Sequence, residues 1–473
     1  MAYLYNNKNF NNILISGLPG LLSIFLSFFS IPIFLNLLPT ELYANFLIQH
    51  SILTLGMILN LNIGKFAAIK IQKVNQELKK EVIFTSMITS LISGLLLSVI
   101  TYFFIFYYFK DKNFFDISIS LLLGLFLTIF YISTEHIIKG LSYFKLCSFS
   151  NLLFYSLSLS LPAFLLIFDN NNIILLDNLF NISLLIKLIS LLCLLIILIL
   201  KKKLIFTKIN FDLFKDFKIH SKWMTITAIY NQIYDYIDKY LIKINIGALM
   251  LVTYSVPQQI AAKLTIFSQS IIAVLLPRLS RQKKKSDKRD ILSANIYLFF
   301  SIISFLLIIL IPFYDEILNW WLKKSYSIMI LKLFKIFILL TFLGCVSNII
   351  IAFYEATLSS KKNTKYETYT ILPFIVGLLI CVYLKDIFLF AFLLFLKEFI
   401  LVFVRLFSIK NYLINLNYFI LITIIFTLTF LLSIFDYIFL SYLIGMIYLM
   451  LLVFKLPYHL MLREFFIFRN FKN

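Results

Sequence analysis

Long apolar segments recur along the whole chain, and they constrain its fold more than any other feature. A helix crosses the hydrocarbon core of a bilayer with about 20 apolar residues. Backbone polar groups must be hydrogen-bonded within the protein there, which leaves helices or a closed barrel. Barrel strands would appear as short alternating segments between turn clusters, and that pattern is missing here. We therefore predict an all-α polytopic membrane protein with fourteen transmembrane helices, or twelve in an alternative count, at 13–38, 44–64, 82–109, 117–138, 147–168, 173–200, 222–243, 248–276, 291–313, 328–354, 368–384, 387–408, 417–435 and 437–454.

Positive charge is distributed unevenly between alternate loops. The chain has 43 Lys and Arg against 22 Asp and Glu, a net charge of +21, yet it is 61% hydrophobic and only 14% charged. That composition excludes an ordinary soluble domain, so the charge does not indicate a nucleic-acid partner. With the N-terminus inside, 31 of the 43 basic residues fall on the cytoplasmic side and 6 on the other. Cytoplasmic loops typically carry this excess, and we predict that both termini are cytoplasmic.

A basic loop at 201–222 divides the first twelve predicted helices into two sets of six. The loop is amphipathic in part, which favours a surface helix that links two halves. The first helix of each set is polar or interrupted, a pairing typical of transporters. We predict two six-helix bundles, related by a pseudo-twofold axis along the membrane normal, and a peripheral C-terminal helix pair. The divisions are an N-terminal bundle at 1–200, a linker at 201–221, a C-terminal bundle at 222–410 and two extra helices with a cytoplasmic tail at 411–473.

Hinge candidates lie in the interrupted helices. Proline removes a backbone donor and permits a kink, and glycine loosens a helix. In the eighth predicted helix, Pro257 frees the carbonyl of Thr253. The predicted hinge residues are Gly17, Pro19, Gly20, Pro32 and Pro257.

The seventh predicted helix carries three ionisable groups in the sequence YNQIYDYIDKYLI, residues 230–242. At 3.6 residues per turn, Asn231, Asp235 and Asp238 share one stripe, with Tyr234 on one side of it and Lys239 on the other. Asp235 and Lys239 have the i, i+4 spacing of an ion pair, which leaves Asp238 in excess. Charges in a membrane helix face protein or water and mark functional sites. The alternative is that the segment lies near the outer interface and its charges reach the headgroups.

Other ionisable residues interrupt otherwise apolar helices. We predict that they line a cavity, although ion pairing would also explain Lys187 and the adjacent pair Lys397 and Glu398. A hydrogen-bonded core histidine would equally explain His50. Glu135, His136 and Glu355 lie near cytoplasmic helix ends and are expected to be interfacial. The remaining cavity candidates are Tyr254, Gln258 and Lys263.

The sequence offers no catalytic or cofactor site. It lacks the glycine-rich phosphate loop of ATP-hydrolysing proteins. The four cysteines, Cys147, Cys193, Cys345 and Cys381, are far apart and form no metal-binding spacing. No loop on the outer side is long enough to build an active site. We therefore expect a protein that is not an enzyme and that holds no metal and no cofactor.

The stretch 230–281 resembles the O-antigen repeat-unit flippases (Wzx type) of the multidrug/oligosaccharidyl-lipid/polysaccharide exporter superfamily, abbreviated MOP. The matching features are an Asp-Lys pair, a glycine turn, a tyrosine and a closing Leu-Pro-x-Leu-Ser, found here as Asp238-Lys239, Gly247, Tyr254 and residues 276–280. LPTELYANF (38–46) resembles the family's first turn, although it lacks the usual glycine after the tyrosine. ILNWWLKKSYSIMILKLFKIFILL (317–340) resembles the Trp-Leu turn before the tenth helix.

This resemblance implies a two-bundle, V-shaped exporter in the inner (plasma) membrane of a bacterium. Such an exporter moves undecaprenyl-pyrophosphate-linked oligosaccharide units to the periplasmic leaflet by alternating access, with ion coupling. Lys187, Lys239, Lys263 and Lys397 would supply positive charge for the pyrophosphate, and Tyr230, Tyr234 and Tyr254 would offer faces to sugars. The implied partners are this lipid-linked oligosaccharide, the bilayer, and the polymerase and glycosyltransferases of the same polysaccharide.

Three other functions stay open at this point. One is a multidrug or toxin cation antiporter of the same superfamily, although the first predicted helix lacks the acidic coupling residue often found there. The second is a lipid II flippase. The third is a membrane polysaccharide polymerase, which the short outer loops argue against.

Overall fold

The computed structural model describes residues 22–455 except 23–24, 27, 55, 57–59, 73, 110–118, 142, 169–172, 201–206, 208, 283, 324–326 and 358. The described residues form helices joined by turns, with no strand among them. Within this part of the chain, nine helical segments are long and apolar enough to cross a membrane. The prediction of an all-α polytopic membrane protein is confirmed.

The helices of the first half follow the predicted apolar segments. The first, α1, covers Phe28–Leu37. The next seven are α2 (Thr40–Thr54), α3 (Ile63–Ile71), α4 (Gln76–Phe109), α5 (Ile119–Gly140), α6 (Phe144–Asn151), α7 (Ser158–Phe168) and α8 (Ile173–Leu200). A π-helical turn, Leu152–Leu157, joins α6 to α7, so these elements form one continuous crossing.

The second half contains ten helices. They are α9 (Phe211–Asn245), α10 (Ala248–Ala262), α11 (Thr265–Arg281), α12 (Lys285–Leu310), α13 (Tyr314–Leu322), α14 (Ile328–Ala356), α15 (Ser360–Leu384), α16 (Ile387–Ser408), α17 (Leu416–Ile434) and α18 (Ile438–Lys455). A 3₁₀ turn at Ile311–Phe313 connects α12 to α13, and another at Lys410–Tyr412 follows α16.

Two predicted helices are broken, and the apolar pattern did not reveal either break. The segment 44–64 divides between α2 and α3, and Leu61 and Asn62 adopt left-handed backbone conformations with φ of 52°. The backbone N–H of Asn62 donates to Oδ1 of Asn60 at 2.6 Å, a local bond that competes with helix formation. The segment 248–276 breaks at residues 263–264, between α10 and α11.

The predicted linker helix is not separate from the seventh membrane helix. From Phe211 the chain runs as one helix to Asn245, so the second half of 201–222 forms the first turns of α9. No proline or glycine lies between 211 and 245, and nothing in the sequence would end the helix there.

The chain folds into two compact units. The first unit contains residues 18–252 and 360–364, and the second contains 253–359 and 365 onward. Because α9 packs against α2 and α3, it belongs to the first unit, whereas the sequence-based division placed it with the C-terminal bundle. The twofold relation of the predicted bundles stays a prediction.

Candidate functional site

A buried lysine marks the interior of the first unit. Lys187 lies midway along α8, and only 6% of it is exposed. Its ammonium group lies 5.1 Å from the centroid of the Phe154 ring, within the range of a cation–π contact. Among the residues that the structure describes, no carboxylate forms an ion pair with it. Within the described residues, Lys187 is therefore a buried cation whose partner is an aromatic face.

The π-helical turn positions that aromatic face. Phe154 lies within Leu152–Leu157 and stacks on Tyr131 of α5 with ring centroids 3.7 Å apart. A π-helical turn shifts the side chains of a helix out of their regular register, and such turns are frequent at functional sites. The π-helical turn therefore positions the Phe154 ring next to Lys187. The sequence pattern did not predict this turn.

His50 lies close to the same helix and has both ring nitrogens hydrogen-bonded. Its Nδ1 is 3.2 Å from the carbonyl oxygen of Phe46, and its Nε2 is 3.1 Å from Oγ of Ser183, one turn before Lys187. The ring of Phe46 packs on one side, 4.2 Å between centroids. This geometry is that of a hydrogen-bonded core histidine linking α2 to α8, which was one of the two interpretations left open by the sequence.

A polar network continues from Phe154 to the end of α5. The hydroxyl of Tyr131 donates to Oδ1 of Asn151 at 2.7 Å, and Nδ2 of Asn151 donates to Oε1 of Glu135 at 2.7 Å. Glu135 also forms an ion pair with Lys139. Although only 4% of Glu135 is exposed, its negative charge is paired, unlike the positive charge of Lys187.

The predicted stripe of α9 lies on an uninterrupted helix. Asp238 is fully buried, and its Oδ1 accepts a hydrogen bond from the backbone N–H of Lys239 at 2.7 Å. Tyr234 is buried, while Tyr230, Asn231 and Lys239 are half-buried. The side chain of Asp235 is outside the described part of the structure, so its pairing with Lys239 stays a prediction.

One turn beyond the stripe, α9 is fixed to α2. The ammonium group of Lys243 donates to Oδ1 of Asn45 at 2.5 Å. Since α2 also carries His50, this helix contacts both α8 and α9. The polar positions of all three helices therefore belong to one unit.

The remaining predicted residues of α10 surround its C-terminal break. Pro257 lies inside α10, and the helix continues past it to Ala262, so the break comes later than the proline predicted. Lys263 lies in the turn itself, half-buried, and the backbone N–H of Lys263 donates to the Ile260 carbonyl at 3.1 Å. Tyr254 is fully buried, with its ring 5.0 Å from that of Phe337. Gln258, next to the proline, is half-buried.

The second unit contains a buried cluster of four charges, the paired cluster. Glu398 forms ion pairs with Lys397 at 2.9 Å and with Nη1 of Arg405 at 3.4 Å. Arg405 also forms an ion pair with Glu367. Arg405 and Glu367 are each about 1% exposed. Two positive and two negative groups therefore compensate each other. For Lys397 and Glu398 this is the ion-pairing interpretation, which the sequence left open beside a cavity role.

The sequence interpretation missed two members of this cluster. It assigned no role to Arg405, near the end of the predicted helix 387–408, or to Glu367, just before the predicted helix 368–384. The spacing of Glu398 and Arg405, seven residues on one helix, would have indicated that they share a face. Nothing in the sequence would have brought Glu367 of α15 to the same place.

Other predicted positions add no site. Pro32 lies inside α1, and Gly17, Pro19 and Gly20 are outside the described residues. Searching the described residues finds no group of three His, Cys, Asp or Glu side chains that could hold a metal ion.

Comparison with known proteins identifies this arrangement of helices. No protein-family sequence profile matches the chain. A Shigella flexneri protein, provisionally described as an O-antigen transporter, is 23% identical over 162 residues, which cover 34% of this chain and 39% of that protein. The match thus spans well under half the length of this relative.

Several solved transporter structures have the same fold. A MOP superfamily transporter from Pyrococcus furiosus aligns with a TM-score of 0.65 and 13% identity, over 85% of this chain and 94% of that one. A multidrug resistance MATE family transporter of the superfamily aligns with a TM-score of 0.62 and 14% identity, over 85% of this chain and 95% of that one. A Vibrio cholerae MATE transporter aligns with a TM-score of 0.64 and 11% identity, over 87% of this chain and 97% of that one. The chain therefore has the fold of the transporters of the MOP superfamily.

Proposed function

We propose that this protein is a flippase for undecaprenyl-pyrophosphate-linked oligosaccharide units, which it moves from the cytoplasmic to the periplasmic leaflet by alternating access. The observation that carries the proposal is Lys187, a buried cation for which no carboxylate partner exists among the described residues. An uncompensated charge inside a membrane protein is costly and marks a substrate or ion path. An anionic headgroup would compensate it.

The chemistry of the cargo fits this charge. The isoprenoid tail remains in lipid, while the pyrophosphate and the sugars need a polar, cationic route across the bilayer. A charge-assisted hydrogen bond to phosphate is about twice as strong as a neutral one. Ser183, one turn before Lys187 on α8, is hydrogen-bonded to His50 of α2, so polar groups lie next to this lysine.

The proposal includes the cellular setting. The protein lies in the inner membrane of a bacterium with both termini in the cytoplasm. Glycosyltransferases that build the unit on the cytoplasmic face supply the substrate, and a polymerase consumes it on the other face. The O-antigen assignment of the Shigella flexneri relative supports this cargo.

A cation antiporter is the second candidate, and Asp238 favours it. This aspartate is fully buried on α9, where a carboxylate could exchange protons or bind a cationic drug. The buried carboxylates Glu135 and Glu398 argue the other way, because each is already paired with a basic residue. A lipid II flippase is the third candidate, since its pyrophosphate headgroup has the same charge.

In the flippase reading, Asp238 serves as the coupling acid. Proton uptake by this carboxylate would weaken its repulsion of the anionic headgroup. We expect Asp238→Asn to transport without responding to an imposed proton gradient. Asp235→Asn should instead lower the amount of folded protein, because Lys239 would lose its predicted partner. If Asp238→Asn responds to the proton gradient as the unaltered protein does, Asp238 is not the coupling acid.

The test of function is translocation in proteoliposomes. Purified protein is reconstituted with a fluorescent undecaprenyl-pyrophosphate oligosaccharide, and the labelled lipid that reaches the opposite leaflet is measured by quenching. We expect Lys187→Gln to slow translocation about tenfold or more, because one charge-assisted hydrogen bond contributes about 1.5–3 kcal/mol. Lys187→Arg should keep part of the rate.

The matched control is Lys332→Gln. Lys332 pairs with Asp436 at 3.4 Å and is about one-third exposed, so its loss removes an equal charge that is already compensated by a carboxylate. Parallel assays with lipid II and with a cationic dye separate the other candidates. Dye efflux without translocation of the oligosaccharide would establish the antiporter instead, and transport of lipid II alone would establish that cargo.

A further inference from the structure

An aromatic ring near the start of α9 lies between lysines from two helices. The ammonium of Lys222 is 5.5 Å from the ring centroid of Trp223, and that of Lys361, in the first turn of α15, is 5.4 Å from it. Both lysines are exposed and Trp223 is half-buried. These three residues form the tryptophan–lysine cluster, and all of them belong to the first unit.

Buried hydrogen bonds fix the two helices at this point. The hydroxyl of Thr364 donates to the Trp223 carbonyl at 2.9 Å and lies 2.9 Å from the hydroxyl of Thr227. Asn363 contributes a longer bond, 3.5 Å, to the same Thr227 hydroxyl. These polar residues are buried. The two helices are therefore fixed at this contact, which sets the backbone positions of Trp223 and both lysines.

The cluster concentrates positive charge without an acidic partner. Ammonium groups at 5.5 and 5.4 Å from one centroid are at most about 11 Å apart, close to one Debye length in physiological salt. Within the described part of the chain, neither Lys222 nor Lys361 forms an ion pair. The two charges repel each other, and an anion bound beside the ring would relieve that repulsion.

We propose that the tryptophan–lysine cluster binds the phosphate of an anionic phospholipid in the adjacent leaflet. The candidate membrane-spanning helix Ser360–Leu384 begins one residue before Lys361, so we expect the cluster to lie at headgroup depth, where tryptophan rings are enriched. Basic pockets between membrane helices on the cytoplasmic side recognise anionic headgroups. The site does not include Lys187 or Asp238, and the proposal does not depend on the identity of the cargo.

The experiment measures lipid binding to the full-length protein in detergent by native mass spectrometry. The probes are phosphatidylglycerol and phosphatidylcholine with identical acyl chains, and sodium phosphate is the competitor. Phosphatidylglycerol should bind preferentially. Because each basic residue near an anionic lipid surface contributes about 1 kcal/mol, Lys222→Gln/Lys361→Gln should weaken that binding roughly 30-fold, and Trp223→Leu should weaken it less.

The control variant is Lys284→Gln/Lys285→Gln. Both lysines are exposed, and Lys285 also lies over an aromatic ring, at 5.2 Å from the centroid of Tyr412. Equal weakening in this control would overturn the proposal, since binding would then follow total charge. Displacement of the lipid by phosphate at similar concentration would show a free-anion site instead. If Trp223→Leu fails to fold, the Lys222→Gln/Lys361→Gln variant still tests the proposal, because both lysines are exposed.

Discussion

At the scale of single residues, buried charges in this protein are of two kinds. In the paired cluster every ionic group has an opposite partner, and Lys335 donates its buried ammonium to the Ser433 carbonyl at 2.7 Å. A cation at the C-terminal end of a helix such as α17 is also favoured by the helix dipole. In the part of the chain that the structure describes, the partner of Lys187 is the Phe154 ring. The two kinds should respond oppositely to neutralisation.

Neutralising Arg405 should destabilise the protein. Arg405→Met would leave Glu367 and Glu398 buried beside a single remaining cation, and breaking a buried ion pair costs about 3–5 kcal/mol. We expect a clear fall in the midpoint of thermal unfolding, measured by tryptophan fluorescence in detergent. Arg405→Lys should retain part of the stability, because it keeps the charge but loses the two-pronged geometry. An unchanged midpoint for Arg405→Met would show that the cluster does not stabilise the fold.

Neutralising Lys187 should have the opposite effect on stability. Lys187→Met keeps the length of the side chain and removes a charge that is costly to bury. We expect a thermal midpoint equal to or above that of the unaltered protein, measured in the same detergent, together with slower translocation. A marked fall in the midpoint would mean that Lys187 stabilises the fold and is not kept for transport.

At the scale of elements, α3 and α5 approach each other through glycines. A Cβ atom on Gly64 would lie 2.6 Å from the Ser133 carbonyl oxygen, and one on Gly140 would lie 2.7 Å from Cα of Ala68. Both obstacles are backbone atoms, which cannot rotate away. Small residues at membrane helix contacts permit such close packing. The contact anchors α5, which carries Tyr131 and Glu135 of the polar network.

Adding one methyl group at this contact should separate the helices. We expect Gly64→Ala to lower the stability of the protein by about 1–3 kcal/mol, as overpacking does elsewhere, measured as the thermal midpoint. Gly344→Ala in α14 is the control, because nothing lies within 4 Å of a Cβ there and alanine favours a helix by about 0.5–1 kcal/mol over glycine. A Gly64→Ala midpoint no lower than that of Gly344→Ala would contradict the close contact.

At the scale of the whole molecule, the charge distribution predicts the orientation in the membrane. We predict that the loops at 201–222 and 278–290 and both termini lie in the cytoplasm, because 31 of the 43 basic residues then face that side. The turn between α17 and α18 then faces outward. This orientation depends on the number of helices, since one missed crossing would invert every later loop.

Cysteine labelling tests the orientation in intact cells. A membrane-impermeant maleimide should label Tyr437→Cys, which is 62% exposed in the outward turn, and should not label Lys284→Cys, also exposed, until the cells are opened. Cys147, Cys345 and Cys381 are buried, and the half-buried Cys193 is replaced by serine to keep background labelling low. Efficient labelling of Lys284→Cys in intact cells would refute the orientation.

The sequence by itself determined the class of the fold and where most helices lie. Apolar runs report the solvent that surrounds them, and bilayer thickness fixes their length. The segments 291–313, 328–354 and 417–435 therefore appear as α12 with its 3₁₀ turn, α14 and α17 with ends that differ by a few residues. The ionisable residues inside such runs were also evident, because each is exceptional there.

Only the tertiary structure decided which of these charges are compensated. The ring beside Lys187 belongs to Phe154, 33 residues earlier in the chain, and the Arg405 that pairs with Glu398 is itself paired with Glu367 of another helix. Likewise, the turn at residues 60–62 and the π-helical turn at Leu152–Leu157 arise from packing and local hydrogen bonds that override helical periodicity. Pairing across helices has no sequence period, and for this reason the apolar pattern located the charges but not their partners.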